Sequence, residues 1–266
     1  MARALGELES LFFSWVQLRR VSKVRLGDLT GPLRLGRAQE SRLLRRLASA
    51  GLIARVRPGL YLVPDRLPLG GRWTPSEGLA LETLLEDRGG RYQICGPNAF
   101  FRYGFADQVP NRVYCYNDRL SGDRKIGSLS LALIRVATPR LGETETVRRA
   151  DGSAATYSSR VRTLVDAVYD WSRFDSLPEG FRWIRGELES ARVEPGDLVR
   201  VAAQFGDIST VRRIGAQLER LGVARSRLRP LASRLRPTSG AIPWNPRRPR
   251  RGPVDSAWGV QMNDEV

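Results

Sequence analysis

Between Arg37 and Pro64 the chain reads RAQESRLLRRLASAGLIARVRPGLYLVP. In its first half, Arg37 to Ala50, the apolar residues Leu43, Leu44, Leu47 and Ala48 recur at helical spacing and share one face, which predicts a helix packed on that side. A step of about 100° per residue puts Ala38, Gln39, Arg42, Arg46 and Ser49 on the opposite face, with Arg45 on a flank. Gly51 supplies a stop, because glycine enters the left-handed conformation without steric penalty. Leu52 to Arg57 and Leu60 to Val63 then alternate about Pro58-Gly59, predicting a hairpin from which Arg55 and Arg57 project.

With a short helical segment starting near Val24, the order helix, glycine stop, basic hairpin is that of a winged helix-turn-helix DNA reader. In a major groove arginine pairs with guanine O6 and N7, and glutamine with adenine N6 and N7. This reading assigns Gln39, Arg42 and Arg46 to base edges, and Arg37, Arg45, Arg55 and Arg57 to phosphate. A basic solvated helix followed by a plain hairpin is the alternative that the same residues satisfy.

Charge is distributed accordingly. The 266 residues include 44 Lys+Arg against 28 Asp+Glu, a formal +16. Residues 1–72 carry +9, residues 73–224 only +1, and residues 225–266 carry +6, so the positive field sits at the two ends. That suits a DNA-binding head, a neutral central domain and a basic tail. Lys23 and Lys125 are the only lysines, a skew that reads as the coding bias of a GC-rich genome.

Whole classes of chemistry are excluded. There is no histidine, so Ser-His-Asp and Cys-His catalysis, histidine metal sites and imidazole proton transfer are absent. No GxxxxGK[ST], GxGxxG or GxSxG stretch occurs. Cys95 and Cys115 are too few for a disulfide framework or a four-cysteine zinc site, and core packing in a reducing cytoplasm is expected of them. No catalytic residue, cofactor or metal is assigned, and an enzyme is not expected. No apolar run approaches the roughly 20 residues of a membrane span. MARALGELESLFFSWVQLRR, at the N-terminus, reads as an amphipathic helix without a signal peptide's apolar core, so a cytoplasmic protein with no membrane partner is expected.

The punctuation predicts an α+β chain: a winged-helix domain at 1–66, a mixed α/β domain at 74–230 ending in a helical bundle, and an extended basic tail at 231–266. Thr74-Pro75-Ser76-Glu77 opens a helix running to Asp87, with Thr74 as N-cap. Strands are expected at Tyr92 to Cys95, Arg112 to Tyr116 and Ser128 to Val136. A hairpin joins Thr144–Arg149 to Ala154–Tyr157 through Asp151-Gly152. Helices are expected at Pro97 to Tyr103, Val161 to Trp171, Phe181 to Ser190, Pro195 to Phe205 and Thr210 to Leu221. Phe100, Phe101, Tyr103, Phe105, Trp171, Phe174, Phe181 and Trp183 are read as core. Arg160, Arg162, Asp166 and Asp170 are read as a structural arginine–carboxylate arrangement rather than a magnesium site.

Five segments, in this order, resemble the AbiEi-type antitoxins of bacterial type IV toxin–antitoxin modules: RVRPGLYLVP (Arg55 to Pro64), RYQICGPNAFFRYGF (Arg91 to Phe105), NRVYCYNDR (Asn111 to Arg119), SSRVRTLVDAV (Ser158 to Val168) and STVRRIGAQLERLG (Ser209 to Gly222). The resemblance implies a bipartite protein. Its winged helix would bind double-stranded DNA at repeats in its own promoter and repress the operon. Its C-terminal domain would oppose a nucleotidyltransferase-like toxin encoded next door. Two features depart from a minimal antitoxin: the apolar LFFSWV (Leu11 to Val16), read as either the first helix of the winged helix or a dimer face, and the tail beyond Pro230. In that tail Trp244 and Trp258 are apolar anchors expected to dock, leaving Arg247, Arg248, Arg250 and Arg251 exposed. Two other functions stay open: a winged-helix regulator with a ligand-sensing domain and no toxin partner, and an antitoxin that phosphorylates its toxin.

Overall fold

The computed structural model describes residues 5–68, 72–148, 153–236 and 240–264, and shows a mixed α and β chain. In order its elements are α1 (Glu7–Arg19), β1 (Lys23–Arg25), α2 (Arg37–Ser49), β2 (Ala54–Arg57), β3 (Leu60–Leu62), α3 (Glu77–Glu86), β4 (Tyr92–Ile94), α4 (Pro97–Arg102), β5 (Val113–Asn117), β6 (Gly122–Ile126), β7 (Leu129–Arg135), β8 (Thr144–Arg148) and β9 (Ala154–Ser158). They continue with α5 (Arg160–Tyr169), α6 (Trp171–Phe174), α7 (Glu179–Glu189), α8 (Pro195–Phe205), α9 (Ile208–Arg220), α10 (Arg225–Ala232), β10 (Ile242–Pro243), β11 (Val254–Asp255) and β12 (Val260–Gln261). Two compact units result: unit 1 is Met1–Gln93, Asn111–Leu141 and Thr146–Thr156, and unit 2 is Ile94–Pro110, Gly142–Glu145 and Tyr157–Val266.

Unit 1 begins with a small core. Leu43, Leu44 and Leu47 of α2 meet Phe12, Phe13 and Val16 of α1, together with Val24, Leu29, Leu52, Ile53, Tyr61 and Val63. Burying side chains of this size removes enough apolar surface to stabilise by about 1.5–3 kcal/mol each. LFFSWV therefore puts three residues into the core, while Leu11 and Leu18 stay exposed. The hairpin β2–β3 turns at Gly59, whose φ of 76° is the left-handed value the turn requires. β1 adds to it antiparallel, with Val24 opposite Tyr61, in the order β1-β3-β2. This strand and the turn 26–33 after it stand where a short helical segment was expected from Val24, because only Val24 of the three strand residues is buried and no alternation shows.

The head expected at 1–66 does not stand apart from the remainder of unit 1. Lys23 pairs with Glu86 at 2.5 Å, Arg25 with Asp87 at 3.1 Å and Arg57 with Asp87 at 2.5 Å, tying β1 and β2 of the small sheet to the end of α3. The rest of unit 1 includes β5, parallel to β7, and β6, antiparallel to β7. β6 (GDRKI) also escaped the sequence, since four of its five residues are exposed. α3 starts later than Thr74: Ser76 is the N-cap, its hydroxyl accepting from the Leu79 N–H at 3.3 Å, while the Thr74 hydroxyl bonds that of Ser128. A helix residue at Gly78 must be glycine, for a Cβ there would lie 1.9 Å from the Ala154 carbonyl oxygen.

Unit 2 is largely helical. Leu164, Val165 and Val168 of α5 pack with Ile184 of α7, Leu198 and Val201 of α8, Ile214 and Leu218 of α9, and Leu228 and Leu231 of α10. α10 was missed, being mostly arginine with Pro230 inside it. β4 meets β9 in parallel at Ile94 and Tyr157. Strands β8 and β9 are neighbours as expected, although the Asp151-Gly152 turn lies outside the described residues.

The C-terminal segment belongs to this unit rather than forming a separate tail. Trp244, Trp258, Val260 and Met262 complete the core, and β10, β12 and β11 form a three-stranded sheet in that order. The Trp244 ring stacks on Phe181, with centroids 3.7 Å apart. Gly215 opens α9 to Trp258, since a Cβ there would meet the indole at 2.2 Å. The Arg212 guanidinium, buried, donates to the carbonyls of Trp258, Gly240 and Gly259. Arg247, Arg248, Arg250 and Arg251 stay exposed.

Candidate nucleic-acid interface

α2 is held by its buried side and leaves its basic side open. Leu43, Leu44 and Leu47 are buried, whereas Arg37, Gln39, Arg42, Arg45 and Arg46 are all exposed. Glu40, fully buried within the helix, takes the N–H groups of Gly27 at 2.9 Å and Leu29 at 3.1 Å. It fixes the turn 26–33 that precedes the helix, a role that sequence periodicity did not reveal because a lone acid in a polar stretch ordinarily faces water.

The seven arginine and glutamine side chains assigned from sequence differ in how free they are. Arg37, Arg42 and Arg55 are exposed and make no side-chain hydrogen bond or ion pair among the described residues. Gln39 Oε1 accepts from the Gly36 N–H at 3.0 Å, capping the helix and leaving its amide NH2 available. Arg45 Nε donates to the Ser41 carbonyl at 3.2 Å. Arg46 Nε bonds Glu9 Oε1 at 3.0 Å, yet about half of the side chain remains exposed. Arg57 is different, since its guanidinium is engaged by Asp87 through two bonds and by the carbonyl of Pro58. A phosphate would have to displace Asp87, so Arg55 is the hairpin side chain open to one. Hydrogen bonds from Arg57 and then Arg25 hold the Asp87 carboxyl down at about 2 against the opposing effect of its burial. Arg34, just ahead of α2 with φ of 50° and exposed, extends the basic surface and carried no helical or strand pattern to announce it.

The charged residues of unit 2 form a structural network. Arg162 and Asp166, both fully buried, pair at 2.9 Å one turn apart on α5. Arg162 also donates to the Gly142 carbonyl and lies over the Phe205 ring. Arg160 and Arg192 both pair with buried Glu187, at 3.0 and 2.9 Å. Asp170 turns to Arg173 at 3.5 Å. No group of three or more His, Cys, Asp or Glu gathers for a metal among the described residues. The aromatic residues pack together around Trp183, with Phe100 at 4.8 Å and Phe105 at 5.6 Å between centroids, while Phe101 is exposed. Both cysteines are buried thiols, and burial pushes that of Cys115 well above its ordinary range.

No helix among the described residues is long and apolar enough to cross a membrane. No protein-family model and no curated protein matches the chain. Among solved structures it is similar to the RV2827C protein from Mycobacterium tuberculosis, at 17% identity and a TM-score of 0.61, over 97% of this chain and 92% of that one. At that identity the likeness is one of fold alone.

Proposed function

We propose that this protein is a DNA-binding regulator whose residues 1–66 act as a winged helix, with α2 in the major groove and the β2–β3 hairpin against the backbone. One observation carries the reading: α2 buries its leucines and keeps Arg37, Gln39, Arg42, Arg45 and Arg46 exposed on the other side, directly before a hairpin bearing exposed Arg55. The order helix, strand, turn, helix, hairpin, with β1 closing onto β3, supports it. Gln39, Arg42 and Arg46 read bases, and Arg37, Arg45 and Arg55 hold phosphate.

The resemblance to AbiEi-type antitoxins extends this to repression of its own operon from the cytoplasm, and to neutralisation of a nucleotidyltransferase-like toxin by the C-terminal part. The test is a gel shift of the full chain on its own upstream DNA across a salt series, with scrambled DNA as competitor. The expected outcome is specific retardation whose log affinity falls by about 0.9 per phosphate neutralised for each unit of log salt. It should be lost in an Arg42→Ala/Arg46→Ala variant. Equal retardation of both DNAs would reject the assignment of base-reading residues. Toxicity of an adjacent gene, relieved by co-expression of this chain, tests the antitoxin half.

A further inference from the structure

Unit 2 contains a cavity of about 440 Å³ between the start of α9, the junction of α5 with α6 and the segment around β10. Arg213 lines it and is only 5% exposed. Its Nε and Nη2 donate to a single acceptor, the Pro243 carbonyl, at 3.2 and 3.1 Å. No acid forms an ion pair with it among the described residues, and its third nitrogen, Nη1, has no acceptor there. The neighbouring Arg212, equally buried, is by contrast spent on three backbone carbonyls. Asp207 is the acid facing Arg213, but its Oδ1 is taken by the N–H and hydroxyl of Thr210, both at 2.7 Å.

A buried cation served by one carbonyl is costly unless an anion joins it. Burial, with a smaller push from the like charge of Arg212, brings the Arg213 guanidinium down to about 10 against the opposing charge of Asp207. The side chain is therefore still charged at neutral pH. Around the same cavity stand Arg250, exposed and unpaired among the described residues, Arg248, shared with Asp264, and Ser209 in the first turn of α9. That turn carries the positive end of a 13-residue helix dipole, capped by the Asp207 carboxylate that also lines the cavity, so the arginines supply the charge for an anion. Tyr169, Trp171 and Pro246 supply an apolar and aromatic wall. The volume lies within the roughly 300–1,000 Å³ of small-molecule sites.

We propose that this cavity binds a phosphate-bearing small molecule of nucleotide size, its phosphate on Arg213, Arg250 and Ser209 and its ring against Trp171. The site stands whether or not α2 reads DNA. Its test is calorimetric titration of the full chain with inorganic phosphate, AMP, ATP and phosphate-free adenosine, and with a short DNA duplex. AMP or ATP should bind at one site per chain and adenosine should not. Removal of one charge-assisted contact should weaken binding about tenfold in Arg250→Ala, whose side chain is outside the core, and in Arg213→Gln. Arg42→Ala should leave nucleotide binding unchanged. Absence of binding by phosphate and both nucleotides overturns the proposal, as does binding that neither variant weakens. Loss of duplex binding in both variants without nucleotide binding also overturns it, and would assign the arginines to a DNA phosphate.

Discussion

The guanidinium of Arg57 and the carboxylate of Asp87 meet through two hydrogen bonds, Nε to Oδ2 at 2.5 Å and Nη2 to Oδ1 at 2.7 Å, although thirty residues separate them. Arg25 adds a third to the same carboxylate at 3.1 Å. The carboxyl titrates at about 2 in the fold and at about 3.9 unfolded. Its contribution to stability is therefore present above about pH 4 and lost as pH falls towards 2. Urea unfolding of wild type and Asp87→Asn between pH 6 and 2 should show a gap in midpoint that closes across that window. A gap independent of pH would mean that the pair is not its source.

The two kinds of DNA contact should separate in mutants. Arg42→Ala should cost about 1–3 kcal/mol on the specific site and relax preference at one base pair, whereas Arg55→Ala should weaken all sequences alike and lower the salt slope by about 1. Asp87→Asn releases Arg57 and should strengthen binding to random DNA. Fluorescence anisotropy on specific and scrambled duplexes distinguishes these outcomes. Identical losses on both duplexes for the Arg42 and Arg55 variants would sink the division of roles.

Glu40→Ala strips the acceptor from the Gly27 and Leu29 N–H groups. Each buried donor left unsatisfied costs about 1–3 kcal/mol, so denaturant unfolding should show a loss of at least about 2 kcal/mol. Glu40→Gln keeps a carbonyl acceptor and should lose less. Equal stability of Glu40→Ala and wild type would show that the turn 26–33 holds itself.

Asp166→Ala removes the carboxylate one turn away from the fully buried Arg162, and should cost about 3–5 kcal/mol. Thermal melting is the measurement. A melting temperature within error of wild type would mean that the other contacts of Arg162 suffice to hold it.

Trp258→Ala should cost about 3–5 kcal/mol by emptying the space over α9. Gly215→Val should expel the same indole by filling that space from the other side. Limited proteolysis should then cut near the exposed run Arg247 to Arg251 in both variants and not in wild type. Resistance in both would mean that the other contacts of the segment, among them Trp244 on Phe181 and the bonds from Arg212 and Arg213, hold it without Trp258.

Legibility in sequence tracked how much apolar pattern a segment carries. α2 and its exposed face were readable because Leu43, Leu44 and Leu47 repeat at helical spacing, and α8 because Pro195 marks its first turn. Trp244 and Trp258 announced a docked segment inside a run otherwise rich in Pro, Gly and Arg. β1, β6 and α10 were silent, being short or covered in charge. In a chain with 44 basic residues, sequence does not say which arginine is swallowed. Arg42 and Arg213 look alike on paper, yet one is exposed and the other is 5% exposed beside a cavity. The partner of Arg57 was hidden for a similar reason, since an acid thirty residues away gives no periodic signal.

The Trp258–Gly215 contact also orders events during synthesis. Helices α5 to α10 can form as they emerge from the ribosome, but the core they enclose lacks Trp244, Trp258, Val260 and Met262 until residue 262 has been made. Until then α9 presents a bare glycine and an apolar seam to the cell. A nascent chain stalled before that point would be a client for chaperones and proteases.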